Sequence, residues 1–341
     1  WYSFVKLLKG IILAIKFPKY NKEYTRRHFL GRLTQMTGVL ATSSFFSCKK
    51  TIQKNTMPQR TLGRTGVKVS LIGLGLGPLG LGGYTKTELQ EGVKAAIDNG
   101  ISLFDMQPDY GNAEKWIGTI IKNCRDDVFL MTKIWEQSKE KVIAQVQESA
   151  RRLDVKCIDA VLINNIGMFD LKTIFEANGI LSGLKATQKQ GLIRYIGVSG
   201  HMKTDQFVKI LETGEFDVVM PVINFVDRHT YNFEGKILPI TTKYNVGVIA
   251  MKVLGGAVDL NYGTRKQRAL INGADFKPAI RYALGLPGVS SAVIGCKNIE
   301  EINLVTEVGR GYKALDKREL DDLLIRGKQM AEQWGPHFGP V

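Results

Sequence analysis

The chain is poor in cysteine and histidine, with four of each among its 341 residues. The cysteines form no C-x-x-C pair and no histidine stands at metal-ligand spacing from them, so the sequence predicts neither a disulfide framework nor a metal site. An uninterrupted apolar run is also lacking, because Lys6, Lys9 and Lys16 break the hydrophobic opening stretch. That stretch is too interrupted to predict a membrane span. Two interpretations remain: an interfacial helix, or an upstream stretch that is not translated.

Acidic residues are scarce at the beginning of the chain. The formal net charge is +15, but residues 1–54 hold 11 Lys and Arg against one acid, Glu23, which leaves only +5 for the rest. A basic leader explains this imbalance better than a basic binding face, so nucleic-acid binding is not predicted. Apolar residues make up 44% and charged residues 23% of the chain, which is typical of a soluble globular protein.

The basic leader contains an arginine pair ahead of a mildly apolar segment. Arg26 and Arg27 stand in the run TRRHFLG, and residues 33–46 form the apolar stretch that follows. This arrangement resembles a twin-arginine export signal, which is removed from the mature protein. The resemblance implies the twin-arginine export machinery as a partner and a periplasmic location. Ser47 and Cys48 resemble a lipoprotein cleavage site, so simple cleavage and a membrane tether at Cys48 facing the periplasm are both open.

Short β-rich runs alternate with amphipathic helical stretches through the rest of the chain. A polar linker precedes them, so we predict an export leader and linker over residues 1–56 and a folded domain over residues 57–341. Eight βα units in a chain of this size predict an α/β fold, a closed (β/α)8 TIM barrel. The predicted strands are 70–75, 102–105, 128–133, 159–164, 194–199, 217–224, 246–252 and 291–295.

A doubly wound open sheet is the alternative fold. Residues 75–80 formally match G-x-G-x-x-G, the fingerprint of dinucleotide-binding open sheets. In that fingerprint the helix starts within the glycine turn, whereas here residues 81–84 intervene before Thr85 and Glu88 offer a capping box. The barrel is therefore the preferred prediction.

Four polar residues stand at or just beyond the ends of predicted strands, where a parallel barrel carries its active site. Asp105 ends the second strand, and Tyr110 follows it in a loop. Lys133 ends the third strand and Asn164 the fourth. A lysine ammonium favours the ionised form of a nearby phenol, and a carboxylate orients the ammonium and compensates its charge. Asp105, Tyr110 and Lys133 are therefore predicted to form a proton-donating unit.

Six segments around these residues resemble the aldo-keto reductase family, in the same order and spacing. They are LGRTGVKVSLIGLGLGPLG, FDMQPDYGNAEKWIG, MTKIW, GLIRYIGVSG, VIAMKVLGG and PGVSSAVIGCKNIEEI. The resemblance covers roughly residues 58–310, and Met57 stands where unexported members of that family begin. It implies a barrel that binds a nicotinamide dinucleotide and reduces a carbonyl, with Asp105, Tyr110 and Lys133 at three of the four catalytic positions.

The resemblance also implies a set of cofactor-binding residues, with NADP as the cofactor and NAD as the second candidate. They are Ser199, Asn224, Met251, Lys252, Gly295 and Lys297. Lys297 matches the stretch that binds phosphate and is expected to meet a 2′-phosphate as a point charge. Four positions of the cofactor site depart from the family. Leu304 and Val305 replace the usual adenine-side acid and amide, Met220 replaces a glutamine that binds the nicotinamide amide, and Met251 replaces an aromatic residue that often stacks on the nicotinamide ring.

Asn164 stands at the fourth catalytic position, where the family normally has histidine. Asparagine can donate a hydrogen bond to a carbonyl but cannot relay a proton. We predict an NADPH-dependent oxidoreductase that reduces a small-molecule aldehyde or ketone, sugar-like carbonyls included, and the alternative is a dinucleotide-binding regulator or sensor with vestigial activity. His201 is a candidate substitute imidazole, and Tyr84 and Trp135 are candidate aromatic walls of the pocket. A ferredoxin-like electron-transfer reductase is disfavoured because no cysteine follows Ile325.

Overall fold

The computed structural model describes residues 56–258 and 263–341. The predicted export motif, with Arg26, Arg27 and Cys48, lies outside the described residues. Within the described ranges, no helix combines the length and the apolar character needed to cross a membrane.

A short antiparallel hairpin that the sequence pattern does not predict precedes the barrel. It consists of β1 (Gln59–Thr61) and β2 (Lys68–Ser70). Arg60 in β1 donates hydrogen bonds from Nη1 to the carbonyls of Leu284 and Val289, both at 2.7 Å. Val289 begins the last barrel strand, so the hairpin is attached at the N-terminal end of the barrel.

Eight parallel strands close into a barrel, as the sequence predicts. They are β3 (Ile72–Gly75), β4 (Leu103–Asp105), β5 (Phe129–Ile134), β6 (Ile158–Ile163), β7 (Ile193–Gly200), β8 (Val218–Pro221), β9 (Gly247–Ala250) and β10 (Val289–Gly295). β10 pairs in parallel with β3, with Ala292 opposite Ile72, so this sheet has no open edge. The closure is incompatible with the open-sheet alternative, and the (β/α)8 barrel is confirmed.

Helices connect the strands and surround the barrel. They are α1 (Gly77–Leu81), α2 (Lys86–Asp98), α3 (Ala113–Ile121), α4 (Lys139–Leu153), α5 (Leu171–Phe175), α6 (Ile180–Lys189), α7 (Thr204–Glu212), α8 (Phe233–Tyr244), α9 (Phe276–Gly285), α10 (Ile299–Arg310) and α11 (Lys317–Trp334). The capping box predicted at Thr85 and Glu88 begins α2, where Thr85 Oγ1 accepts from the Glu88 amide at 3.3 Å and Glu88 Oε2 accepts from the Thr85 amide at 2.8 Å. α4 buries Val142, Val146 and Leu153 on one face, as its 3.6-residue period predicts.

The carboxyl ends of the barrel strands meet at one mouth. Asp105 is the last residue of β4, and Lys133 is the last but one of β5. Asn164 and His201 directly follow β6 and β7, and Gly295 ends β10. Since neighbouring strands in a sheet lie about 4.8 Å apart, the topology gathers these residues around one opening.

Candidate active site

A cavity of 990 Å³ opens at the mouth of the barrel, at the upper end of the range of about 300–1,000 Å³ for small-molecule and cofactor sites. The four predicted catalytic residues line it together: Asp105, Tyr110, Lys133 and Asn164. The cavity continues past the end of β10 to Lys297 at the start of α10. Its shape therefore joins the catalytic cluster to the predicted phosphate-binding residue.

Lys133 and Asp105 form a buried ion pair at the base of the cavity. The two side chains are only 4% and 6% exposed, and Lys133 Nζ donates a hydrogen bond to Asp105 Oδ1. Lys133 Nζ also donates to the carbonyl of Met106 at 3.1 Å. Burial raises the pKa of the Asp105 carboxyl, and the adjacent Lys133 ammonium opposes that rise. The pair thus holds the Lys133 ammonium in a fixed position where little water can screen it.

Tyr110 lies against this ion pair. Lys133 Nζ is 5.6 Å from the centroid of the Tyr110 ring, so the ammonium faces the aromatic side chain. The Tyr110 loop is held close to α1, where a Cβ added to Gly80 would lie 2.4 Å from the Tyr110 carbonyl oxygen. Only glycine fits at position 80, and its small size lets the loop bring Tyr110 over the cavity.

Asn164 is fixed by two polar neighbours, one of which the sequence analysis misses. Its Nδ2 donates to Gln107 Oε1 at 3.2 Å, and its Oδ1 accepts from Ser199 Oγ at 3.0 Å. Gln107 also lines the cavity, although nothing in the sequence distinguishes it from other loop residues. Among the described residues these contacts use one of the two Nδ2 protons of Asn164, so the other is available to a ligand. Asn164 can therefore donate to a ligand, but it has no group that takes up a proton.

The predicted cofactor-binding residues fall into two sets. Met251, Lys252, Gly295 and Lys297 line the cavity, and so does Met220, which adds a second thioether to the apolar wall. Ser199 and Asn224 are fully buried and do not line it. Direct contact of these two residues with a cofactor therefore stays a prediction.

The reason for the position of Asn224 is its hydrogen bonding. Its Nδ2 donates to Asp227 Oδ2 at 2.6 Å and to the Lys252 carbonyl at 3.0 Å. Its Oδ1 accepts from the amides of Val226 and Asp227 at 3.0 and 2.8 Å. Both amide protons are used, so Asn224 supports the backbone at Lys252, which has a positive φ of 55° and itself faces the cavity.

Lys297 is paired with a carboxylate, a contact that the sequence does not predict. Glu301 Oε1 lies 3.1 Å from Lys297 Nζ, and Glu301 Oε2 accepts from the Lys297 backbone amide at 2.8 Å. Lys297 Nζ also donates to the Gln267 carbonyl at 2.5 Å. Glu301 lines the cavity beside Leu304. This end of the cavity therefore presents an ion pair, and an incoming phosphate must compete with a carboxylate for the ammonium.

Tyr84 and Trp135, the two predicted aromatic walls, do not line the cavity. Tyr84 instead stacks beneath Arg265, whose guanidinium carbon lies 4.2 Å from the ring centroid. Arg265 also pairs with Glu88 at 2.8 Å. Trp135 is 37% exposed to solvent. Among the described residues, the apolar lining of the cavity is mostly aliphatic and thioether, and Phe276 and the Tyr110 ring are its aromatic members.

His201, the candidate substitute imidazole, does line the cavity. Burial, together with the positive charges of Lys252 and Lys133, lowers the pKa of His201 to about 3. At physiological pH the His201 ring is therefore a neutral imidazole, and it carries no extra proton to give to a substrate. In the described part of the chain, no cluster of three or more His, Cys, Asp or Glu side chains is arranged to hold a metal ion.

Comparisons with known proteins agree with this architecture. The model of the Aldo/keto reductase family matches residues 71–270. L-galactose dehydrogenase from Arabidopsis thaliana is 25% identical over 276 residues, which cover 71% of this chain and 85% of that protein. Glyoxal reductase from Bacillus subtilis is 31% identical over 169 residues, which cover 48% of this chain and 56% of that protein.

Solved structures share the barrel. An aldo/keto reductase from Klebsiella pneumoniae in complex with NADP and acetate matches with a TM-score of 0.61 and 22% identity, over 77% of this chain and 94% of that one. The holo form of an aldo-keto reductase from Bacillus halodurans matches with a TM-score of 0.63 and 20% identity, over 78% of this chain and 96% of that one. At such identities the likeness establishes the fold alone.

Proposed function

Because this chain belongs to the aldo/keto reductase family, we propose that it reduces an aldehyde or a ketone to an alcohol, with Tyr110 as the proton donor. The chain is an NAD(P)H-dependent oxidoreductase, and NADP is its cofactor. The residues present fit such a group: Met220 and Met251 offer an apolar wall near the catalytic cluster, and Lys297 offers a cation at the far end of the same cavity.

The chemistry of the reduction divides between the cofactor and the chain. When bound, NADPH supplies the hydride that reduces the carbonyl carbon. Tyr110 donates its hydroxyl proton to the carbonyl oxygen, and the Lys133 ammonium stabilises the phenolate that remains. Asp105 holds Lys133 in place and balances its charge. Asn164 orients the carbonyl through its remaining Nδ2 proton.

One observation carries this proposal: the buried Asp105–Lys133 ion pair lies against Tyr110 inside a cavity large enough for a dinucleotide. The test replaces Tyr110 by Phe, which deletes the proton donor and keeps the ring. We expect the rate of carbonyl reduction to fall by about a hundredfold or more, the usual size of general acid catalysis, while NADPH binding persists. Tyr84→Phe is the control, since Tyr84 does not line the cavity. Undiminished reduction by Tyr110→Phe would contradict the role given to Tyr110.

The second candidate is a dinucleotide-binding regulator or sensor with vestigial activity. What favours it is Asn164, which stands where a proton relay is expected and is tied to Gln107 and Ser199. Two measurements on the unmodified protein distinguish the two candidate functions. The first is a binding titration with NADPH and NADH, and the second is an assay of reduction on a panel of aldehydes and ketones. Tight binding without turnover of any carbonyl would favour the regulator.

We further propose that the chain is exported by the twin-arginine route and is periplasmic, either free or tethered through Cys48. Nicotinamide dinucleotides are made in the cytoplasm, so a periplasmic enzyme that needs one must fold around it before export, and bound cofactor stabilises that fold by mass action. Arg26→Lys together with Arg27→Lys should leave a folded, cofactor-loaded protein in the cytoplasm. Arg32→Lys is the matched control. Periplasmic recovery of the double variant in a cell fractionation would refute this route.

A further inference from the structure

His201 occupies a position in the cavity that the proposed reaction does not use. It directly follows β7, one strand beyond Asn164 at the end of β6, and both residues line the cavity. Phe338 stacks on the His201 ring, with centroids 5.4 Å apart and planes inclined by 26°. Phe338 is anchored in turn, because its backbone amide donates to the hydroxyl of Tyr231 at 2.8 Å. The imidazole is therefore held in one orientation.

Asn165 determines which nitrogen of His201 carries the proton. Asn165 Oδ1 accepts from the backbone amides of Gly167 and His201, at 3.2 and 3.3 Å, which fixes the orientation of the carboxamide. Its Nδ2 must then donate to His201 Nδ1, 3.3 Å away. A neutral imidazole that accepts at Nδ1 carries its proton on Nε2.

The backbone around Asn165 is shaped to allow these contacts. A Cβ added to Gly200 would lie 2.3 Å from Asn165 Oδ1, so any larger residue at position 200 would displace the carboxamide. The low pKa of His201 keeps the ring neutral, which preserves a single tautomer across physiological pH. Among the described residues, none accepts a hydrogen bond from His201 Nε2. The site thus holds a fixed N–H donor in the wall of the cavity.

We propose that His201 is a substrate-binding residue, whose Nε2–H donates a hydrogen bond to an oxygen on the carbon next to the reacting carbonyl. This inference rests on the proposed carbonyl reduction. Asn164 lies beside the Tyr110 loop, through its contact with Gln107, and is therefore the donor placed for the carbonyl oxygen itself. The strand that carries His201 lies about 5 Å from the strand that carries Asn164. This separation suits a donor for a second oxygen, bound to the carbon next to the reacting carbonyl. Preferred substrates are then hydroxylated carbonyls or dicarbonyls.

The test compares 2-hydroxypropanal with propanal, which differ only by the hydroxyl group, as substrates of the full chain with NADPH. His201→Phe keeps a ring to stack on Phe338 and removes the donor. We expect the kcat/KM ratio of 2-hydroxypropanal to propanal to fall about tenfold, as for the loss of one hydrogen bond, with propanal reduction nearly unchanged. His201→Gln, which returns an N–H donor, should recover most of the ratio. His229→Phe is the control, since His229 is exposed and does not line the cavity.

The outcomes are distinct. If propanal and 2-hydroxypropanal are both reduced and the ratio is the same in His201→Phe, the role of His201 is refuted and the proposed function stands. If the unmodified protein reduces neither these aldehydes nor any other carbonyl, the proposed function fails and the inference fails with it. If His201→Phe lowers both rates equally and His201→Gln restores neither, the residue is only structural and the inference is overturned.

Asn165 is a positioning residue in this scheme, and its part is measured by spectroscopy. In protein labelled with ¹⁵N-histidine, we expect the His201 resonances to show a protonated Nε2 and an unprotonated Nδ1, unchanged between about pH 5 and 9. Asn165→Asp replaces the Nδ2 donor by an acceptor and should place a proton on Nδ1. Finding the Nδ1–H tautomer in the unmodified protein would overturn the inference without any measurement of activity.

Discussion

The Asp105–Lys133 pair allows a quantitative test of how deeply the catalytic charge is buried. Asp105→Asn keeps the shape of the side chain and removes its charge, leaving the Lys133 ammonium in a position that is only 4% exposed. Breaking a buried ion pair by removing one partner costs about 3–5 kcal/mol. Lys133 keeps one acceptor, the Met106 carbonyl at 3.1 Å, so we expect a loss near the lower end, about 3 kcal/mol of unfolding free energy.

The assay is urea denaturation monitored by circular dichroism. An exposed Lys–Asp ion pair serves as the reference. Lys317 and Asp321 lie 2.8 Å apart and are 90% and 55% exposed, so Asp321→Asn should change stability by no more than about 1 kcal/mol. Adding Lys133→Met to Asp105→Asn should recover most of the lost stability, because no isolated charge remains, while activity stays absent. Equal costs for Asp105→Asn and Asp321→Asn would refute the reasoning, since the catalytic ammonium would then be well solvated.

Two further substitutions probe the ends of the cavity. Glu301→Gln should raise the affinity for NADPH relative to NADH several-fold, because it releases Lys297 for a 2′-phosphate. The measurement is a fluorescence titration, and Glu300→Gln, one residue away and outside the cavity, is the control. Asn164→His should raise kcat toward small aldehydes, because it restores an imidazole at this position. If activity falls on every carbonyl tested, the contact between Asn164 and Gln107 is instead an adaptation to a particular substrate.

The barrel could be predicted from the sequence because burial of whole strands leaves a strong local signal. Residues 129–134 and 158–163 are entirely buried, and both read as continuous apolar-rich runs between helical stretches. The hairpin strand β1 leaves no such signal, since its three residues include no fully buried side chain. It is held by the Arg60 hydrogen bonds to Leu284 and Val289, more than 220 residues away in the chain, and no local pattern reveals such contacts.

The candidate site was less predictable, because a motif identifies a residue and not the direction of its side chain. Ser199 and Asn224 occur in the expected positions along the chain, yet their hydrogen bonds turn them toward Asn164 and the Lys252 backbone. A polar residue on a strand can bond to its neighbours or to a ligand, and only the complete set of partners decides between these. Gln107 was missed for the opposite reason, because it becomes notable only through its contact with Asn164.

The two sides of the cavity differ in how they respond to pH, and this difference follows from their composition. One side is an ion pair, Asp105 with Lys133, against the phenol of Tyr110, so it consists of ionisable groups. The other side uses carboxamides, as in Asn164, and the imidazole of His201, whose pKa of about 3 keeps it neutral above pH 5. Substrate orientation by that side is therefore constant above about pH 5. We therefore expect the pH profile of the reduction step to show no inflection from His201 near the ordinary histidine pKa of about 6.5.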